Sequence, residues 1–189
     1  MKSVLISIQP KWCELIASGK KTVEVRKTKP KLEPPFKVYI YCTIGDGAKG
    51  DILPQSRVTC GKVIGEFMCD KIFTIQYRCG SYRCEGLTVH ENDRIAAASQ
   101  LSLYDMRNYL SCNGGYGWHI SDLVIYDQPR DVTGFYHYCG DDPKCDGCEL
   151  LYYSNTECGK EEFCCSNMYG CKPLQRPPQS WCYVEEGGE

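Results

Sequence analysis

The first part of the chain alternates between apolar and polar residues in short runs, and this pattern predicts strands. Residues 4–8 predict a first strand and residues 22–26 a second, because side chains at every second position of a strand share one face. In the second strand Val23 and Val25 are expected to face the core, with Thr22, Glu24 and Arg26 together on the other face. A helix over residues 10–18 separates these two strands.

Further along the chain the same pattern predicts more strands and one more helix. Strands are expected over residues 38–42, 62–75 (with a break near Asp70), 118–126 and 181–184, and a capped helix over 102–110. Five or six strands and two helices, without regular strand–helix alternation, indicate an α+β protein. The architecture that fits best is a small mixed β-barrel with two flanking helices.

Composition and charge narrow the function classes. The 189 residues are 42% hydrophobic and carry a net charge of −2, which excludes a wholly disordered chain and a nucleic-acid binder with a basic surface all round. Residues 1–37 hold nine basic and three acidic groups, a net of +6, whereas the remainder holds 13 and 21, a net of −8. This basic part can steer an anionic partner, or its lysine-rich segment 27–31 can serve solubility alone.

The N-terminal apolar run is too short for a signal peptide, and no segment approaches the roughly 20 apolar residues of a membrane span. We therefore expect a cytoplasmic protein without a membrane partner. In a reducing compartment, clustered cysteines hold metal more often than they form disulfides.

Fifteen cysteines are present, and seven of them crowd into residues 139–171, a stretch too poor in Val, Ile and Leu to build its own core. Cys145 and Cys148 have the spacing of a zinc knuckle, and with Cys139 and Cys158 they form the simplest set of four thiolate ligands. A structural zinc would stabilise this segment. Cys164, Cys165 and Cys171 are alternative ligands, and Cys182 is the eighth thiol if two zinc ions bind. An iron–sulfur cluster and a disulfide-linked loop remain as alternatives.

The segment Gly19-Lys-Lys-Thr-Val-Glu-Val-Arg26 fits the pattern Gly-x-Lys-x-x-Glu-x-Arg between a helix and a strand. It resembles the signature of the ASCH domain, a member of the PUA-like superfamily. Residues 61–66, 102–110 and 117–122 resemble later family segments in the same order, and residues 176–182 resemble the ending of bacterial and prophage ASCH proteins. The resemblance divides the chain into a PUA-like barrel (1–138), a cysteine-rich insertion (139–173), and a final strand with its tail (174–189).

The resemblance implies a cleft that binds RNA or a nucleotide-like ligand. Arg26 can grip a phosphate or base edge with two hydrogen bonds, Lys21 can hold phosphate as a point charge, and Glu24 lies between them in the motif. Aromatic rings suit stacking on bases. The candidate ligand-binding residues are Lys21, Glu24, Arg26, Tyr116, Trp118 and Trp181.

Two alternatives to simple binding stay open. The resemblance includes ribonuclease-like relatives and small amidohydrolases of acylated cytidine, which use a Lys, a Thr and a Glu. The lysine falls on Lys21, but the threonine position holds Glu24, so the hydroxyl nucleophile is missing. In a hydrolase Glu24 would act as general base and Lys21 would stabilise developing negative charge. The other alternative is a protein-interaction module whose working surface is the zinc-stabilised insertion.

Overall fold

A computed structural model describes residues 2–44, 59–78, 80–137 and 173–186. The described residues form ten strands and three α-helices. In chain order these are β1 (Ser3–Ile8), α1 (Pro10–Ala17), β2 (Val23–Arg26), β3 (Phe36–Cys42), β4 (Lys62–Cys69), β5 (Ile72–Arg78), β6 (Ser81–Cys84), α2 (Val89–Ser99), α3 (Leu103–Leu110), β7 (Gly115–His119), β8 (Ser121–Arg130), β9 (Phe135–His137) and β10 (Trp181–Glu186).

The strands pair into two sheets. The larger sheet has the order β8-β4-β3-β1-β10-β9, and the smaller one has the order β2-β7-β5-β6. β1 and β3 are parallel, and the other neighbours are antiparallel. The mixed α+β class is thus confirmed. The single closed barrel expected from the sequence is not: no strand pairing joins the two sheets within the described ranges.

Two predicted strands each divide between the sheets. Residues 62–75 contain β4 and the first part of β5, and the segment that begins at Trp118 passes from β7 into β8 at Ile120. Each crossing takes only one or two residues. At the second crossing, Ile120 donates its backbone N–H to the carbonyl of Thr22 at 2.9 Å. The break predicted near Asp70 is confirmed by the first crossing, whereas the apolar pattern through Ile120 continues and did not reveal the second.

The structure adds one helix, α2, that the sequence analysis missed. Its apolar stripe is weak, and nearly all of its residues are at least partly exposed. Its start is nevertheless encoded by Thr88 and Glu91, which form a reciprocal capping box. The predicted second helix is confirmed as α3, and the same box is made there by Ser102 and Asp105.

Helix α3 covers one face of the smaller sheet. Val23 and Val25 of β2 pack in one apolar cluster with Met106 and Leu110 of α3. The opposite face of this sheet therefore turns toward the larger sheet, where Trp118 packs among residues of α1, β1, β3 and β4. No helix in the described part of the chain is long and apolar enough to cross a membrane.

Gly65 shows how closely the strands of the larger sheet approach. A Cβ at this position would lie 2.3 Å from the backbone oxygen of Val124 and 3.1 Å from the Cα of Ile125. We expect Gly65→Ala to lower the free energy of unfolding by about 1–3 kcal/mol, because the obstacle is backbone that cannot rotate away. Chemical denaturation measures this change. Gly134→Ala is the matched control, since a Cβ there meets nothing within 4 Å, and an equal loss in both variants would contradict the steric argument.

Candidate functional site: a buried ion triad beneath a basic and aromatic surface

The two charged residues of the ASCH-like motif that lie in β2 are on the face turned toward the larger sheet. In the antiparallel pairing of β2 with β7, Glu24 is the Cα partner of Trp118, and Arg26 is the partner of Tyr116. Partners across two antiparallel strands project to the same face. Four of the six predicted ligand-binding residues are thereby brought to one face of the sheet, and the alternation along residues 22–26 predicted the shared face for Glu24 and Arg26.

Lys21, Glu24 and Arg26 form a continuous ion triad. The ammonium Nζ of Lys21 lies 3.3 Å from Oε2 of Glu24, and Nε of Arg26 lies 3.1 Å from Oε1 of the same carboxylate. The three side chains are only 1–8% exposed. Ions buried to this degree are stable only when each one is paired, so Glu24 neutralises charge on both of its neighbours.

The structure places Lys21 inside the protein rather than at the surface. Its ammonium group donates hydrogen bonds to the carbonyls of Val23 at 2.9 Å and Ser99 at 2.6 Å, in addition to its contact with Glu24. An ammonium group has three donors, and all three are thereby engaged. Burial lowers the pKa of Lys21, and the negative charge of Glu24 partly opposes that effect. Lys21 thus ties the C-terminal end of α2 to β2.

Arg26 keeps donors beyond those it uses in the fold. One Nη donates to the carbonyl of Ser7 at 2.6 Å, whereas a guanidinium group carries five N–H donors. The Tyr109 phenol of α3 interacts with this guanidinium, and Tyr109 is 37% exposed. Burial raises the pKa of Tyr109, while the positive charge of Arg26 partly counteracts the rise.

The ring of Trp118 lies beneath the surface of the site and is not exposed. Its side chain is completely buried and contacts Phe36 edge-on, with 6.0 Å between ring centroids. Trp181 from β10 lies 6.1 Å away on the partly exposed side. Among the residues the structure describes, the indole Nε1 of Trp118 has no hydrogen-bond partner. The rings available to a ligand at the surface are therefore those around Trp118, including Tyr116 and Trp181.

The loop that follows Arg26 lies along these rings. Nζ of Lys27 is 5.4 Å from the ring centroid of Tyr109, and Nζ of Lys29 is 5.7 Å from that of Tyr116. The indole N–H of Trp181 donates to the hydroxyl of Thr28 at 3.0 Å, and the backbone N–H of Lys31 donates to the Tyr183 hydroxyl at 2.7 Å. We call this surface the basic–aromatic strip: Lys27, Thr28, Lys29, Lys31, Tyr109, Tyr116, Trp181 and Tyr183.

Several members of this strip were absent from the predicted site. The lysine-rich segment was noted for its charge, but nothing in its composition showed which rings would pack beside it. Tyr109 was missed because the apolar stripe of α3 was assigned to Leu103, Met106 and Leu110, which leaves tyrosine on the solvent side. Tyr183 lies 152 residues from its partner Lys31, so only the folded chain brings them together.

The zinc prediction concerns residues that lie largely outside the described ranges. The predicted ligands Cys139, Cys145, Cys148 and Cys158, and the alternates Cys164, Cys165 and Cys171, all fall there. Cys182 is described: it is a partly buried free thiol in β10, and burial raises its pKa to about 11. Within the described ranges, no group of three or more His, Cys, Asp or Glu side chains is placed to hold a metal ion. The zinc site stays a prediction.

Comparison with known proteins connects this geometry to a family. Residues 6–66, which include the ion triad, match the model of the ASCH domain. The crystal structure of ASCH from Zymomonas mobilis has a TM-score of 0.53 and 18% identity, covering 97% of this chain and 87% of that one. A Tyr-to-Phe variant of the Zymomonas mobilis protein gives 0.54 and 18%, covering 98% and 91%. A Ser-to-Ala variant gives 0.53 and 17%, covering 97% and 88%. A search of curated proteins found no match.

The two comparisons agree with each other and with the motif. The sequence match spans β1 to β4 and includes the Gly-x-Lys-x-x-Glu-x-Arg segment, and the structural likeness extends over nearly the whole chain. At 18% identity this likeness concerns the fold alone. The resemblance seen in the sequence is confirmed: residues 6–66 match the ASCH domain model, and the solved structures that the chain resembles are ASCH proteins.

Proposed function

We propose that this protein binds single-stranded RNA, or a nucleotide-like ligand, along the basic–aromatic strip. The observation that carries the proposal is the arrangement of that surface, where exposed lysines and partly exposed rings lie side by side. Proteins that bind single strands combine cations that follow the backbone with rings on which bases stack. ASCH domains in general are regarded as RNA-binding, which is consistent with this proposal.

The strip offers both kinds of contact within a short distance. Lys27 and Lys29 are exposed and would hold successive phosphates, while Tyr109 and Tyr116 beside them would receive bases. Neither lysine is paired with a carboxylate among the described salt bridges. A phosphate therefore meets positive charge that the protein has not already neutralised.

The buried ion triad holds the start of the loop that carries the lysines of the strip. Arg26 is the last residue of β2, directly before Lys27, and it is held by Glu24 and by the carbonyl of Ser7. At the other end, Lys31 is bonded to Tyr183 of β10. Because both ends of the loop are tied to strands, the surface is already ordered before the ligand binds. Binding would therefore not carry the entropy cost of ordering the loop.

Tyr109→Ala tests the stacking part of the proposal. We expect the variant to bind a 10-nucleotide RNA at least about fivefold more weakly, since loss of one stacking ring costs about 1–3 kcal/mol. Fluorescence anisotropy with an end-labelled RNA measures the affinity. Tyr104→Ala is the matched control: Tyr104 is on the same helix, is 74% exposed and lies outside the strip.

Three outcomes are informative in this experiment. Weaker binding by Tyr109→Ala alone supports stacking at the strip, and equal binding by all three proteins removes Tyr109 from the site. Absence of RNA and nucleotide binding by the wild type at low salt would overturn the proposed function. Hydrolysis of RNA or of a nucleoside amide stays a prediction, but the engagement of all three Lys21 donors within the fold gives it no added support.

A further inference from the structure

Three cysteine thiols lie in a row from the core to the surface, away from the basic–aromatic strip. Cys13 is buried in α1, Cys42 is the buried last residue of β3, and Cys60 is exposed just before β4. The Sγ atoms of Cys42 and Cys60 are 3.9 Å apart. A disulfide requires about 2.05 Å between sulfurs, so a modest side-chain rotation would close this pair.

The backbone holds Cys42 and Cys60 in place for such a closure. Cys42 is the Cα partner of Lys62 in the β3–β4 pairing, and the N–H of Gly61 donates to the carbonyl of Cys42 at 2.7 Å. Cys42 therefore lies at the end of β3, and Cys60 lies two residues before β4, the antiparallel neighbour of β3. Since the Gly61–Cys42 hydrogen bond and the β3–β4 ladder hold the chain next to the pair, we expect bond formation to leave the sheet in place.

We propose that Cys42 and Cys60 form a dithiol that is oxidised by low-molecular-weight disulfides, such as glutathione disulfide, to an intramolecular disulfide. In the first step, the Cys60 thiolate attacks one sulfur of glutathione disulfide. The S–S bond of that reagent breaks, one glutathione leaves as thiolate, and Cys60 is left in a mixed disulfide. Cys60 takes this role because it is the exposed member of the pair.

In the second step, the Cys42 thiolate attacks Sγ of Cys60. The new Cys42–Cys60 bond forms as the mixed disulfide breaks, and the second glutathione leaves. Over both steps the protein pair loses two electrons and two protons, and glutathione disulfide becomes two molecules of glutathione. Because the attacking and receiving sulfurs begin 3.9 Å apart, the second step is intramolecular and favoured by proximity.

Cys13 has a positioning role in the second step. A hydrogen bond from Cys13 has the largest effect on the pKa of Cys42. Together with the bond from Cys60 it lowers this pKa, although burial acts in the opposite direction. The Cys13 S–H also lies 3.5 Å from the carbonyl oxygen of Ile8, to which it can donate. Burial and the neighbouring Cys42 raise the pKa of Cys60 to about 11. We therefore expect the first step to be slow and the closing step to be fast.

Peptide mapping of the full chain can test the pair directly. Trypsin would release Cys42, Cys60, Cys13 and Cys112 in separate peptides, residues 38–49, 58–62, 12–20 and 108–130, each with one cysteine. The reduced protein, with a metal chelator present, is exposed to graded ratios of glutathione disulfide to glutathione. The reaction is stopped with acid, free thiols are alkylated, and the digest is read by mass spectrometry.

We expect the peptides 38–49 and 58–62 to appear as one disulfide-linked species, without accumulation of glutathionylated Cys60. Cys60→Ser should abolish the link, and Cys112→Ser, which removes another exposed thiol, should leave it unchanged. Cys13→Ala should let glutathionylated Cys60 accumulate severalfold, whereas Cys13→Ser, which keeps a donor, should not. Persistent glutathionylated Cys60 in the wild type, preferential linkage of Cys42 to Cys13 or Cys112, or absence of the link in the most oxidising buffer would overturn the proposal.

Discussion

Replacing Glu24 by alanine is expected to lower the free energy of unfolding by about 3–5 kcal/mol, a typical cost for removing one partner of a buried ion pair. The variant leaves the side chains of Lys21 and Arg26, which are 1% and 8% exposed, without their shared counter-ion. Desolvated charges repel each other and cannot recover water without opening the space between the two sheets. The effect should exceed that of an ordinary surface substitution severalfold.

Thermal and denaturant unfolding both measure this change. For a chain of this length the loss corresponds to a fall in melting temperature of roughly 6–20 °C. Glu33→Ala removes the same charge from an exposed position close in sequence, and we expect it to change stability by less than about 0.5 kcal/mol. A Glu24→Ala variant as stable as Glu33→Ala would show that the triad does not hold the site together.

The double variant Lys27→Ala with Lys29→Ala is expected to weaken RNA binding on the order of 50-fold at about 50 mM salt. This follows if each lysine neutralises one phosphate of a single strand, because each such contact contributes about 0.7 to the slope of log affinity against log salt. Both side chains are exposed, so the fold should remain intact. The loss should shrink as salt rises, since released counter-ions then contribute less.

A matched variant separates specific contacts from overall charge. Lys71→Ala with Arg83→Ala removes the same two positive charges from exposed positions outside the strip. We expect that variant to bind RNA within about twofold of the wild type, because charges outside the strip act on the RNA only through a screened field. Equal weakening by both double variants would mean that binding follows net charge, and the strip would not be the site.

The sequence predicted the local features of the site well, for a physical reason. Alternation along residues 22–26 is a property of a single strand, and it correctly assigned Val23 and Val25 to one face and Glu24 and Arg26 to the other. The motif also indicated the family whose model matches residues 6–66. Neither inference required knowledge of what packs against the strand.

Features that depend on contacts between segments far apart in the sequence could not be predicted from it. The burial of Lys21 could not be foreseen, because its partner Ser99 is 78 residues away at the end of α2, a helix with only a weak apolar stripe. The division of the strands between two sheets depends on two crossings, of which the break near Asp70 was predicted, whereas the apolar pattern through Ile120 continues and gave no sign of the second. Trp118 looked like a stacking platform, and only its contact with Phe36 shows that the ring is enclosed.

The most direct test of the central claim is the salt dependence of RNA affinity for the wild type and for Lys27→Ala with Lys29→Ala. We expect both proteins to bind a 10-nucleotide RNA more weakly as salt increases, and the slope of log affinity against log salt to be shallower by about 1.4 for the double variant, the value for two lost phosphate contacts. Identical slopes for the two proteins, or RNA affinity that does not change with salt, would contradict this claim.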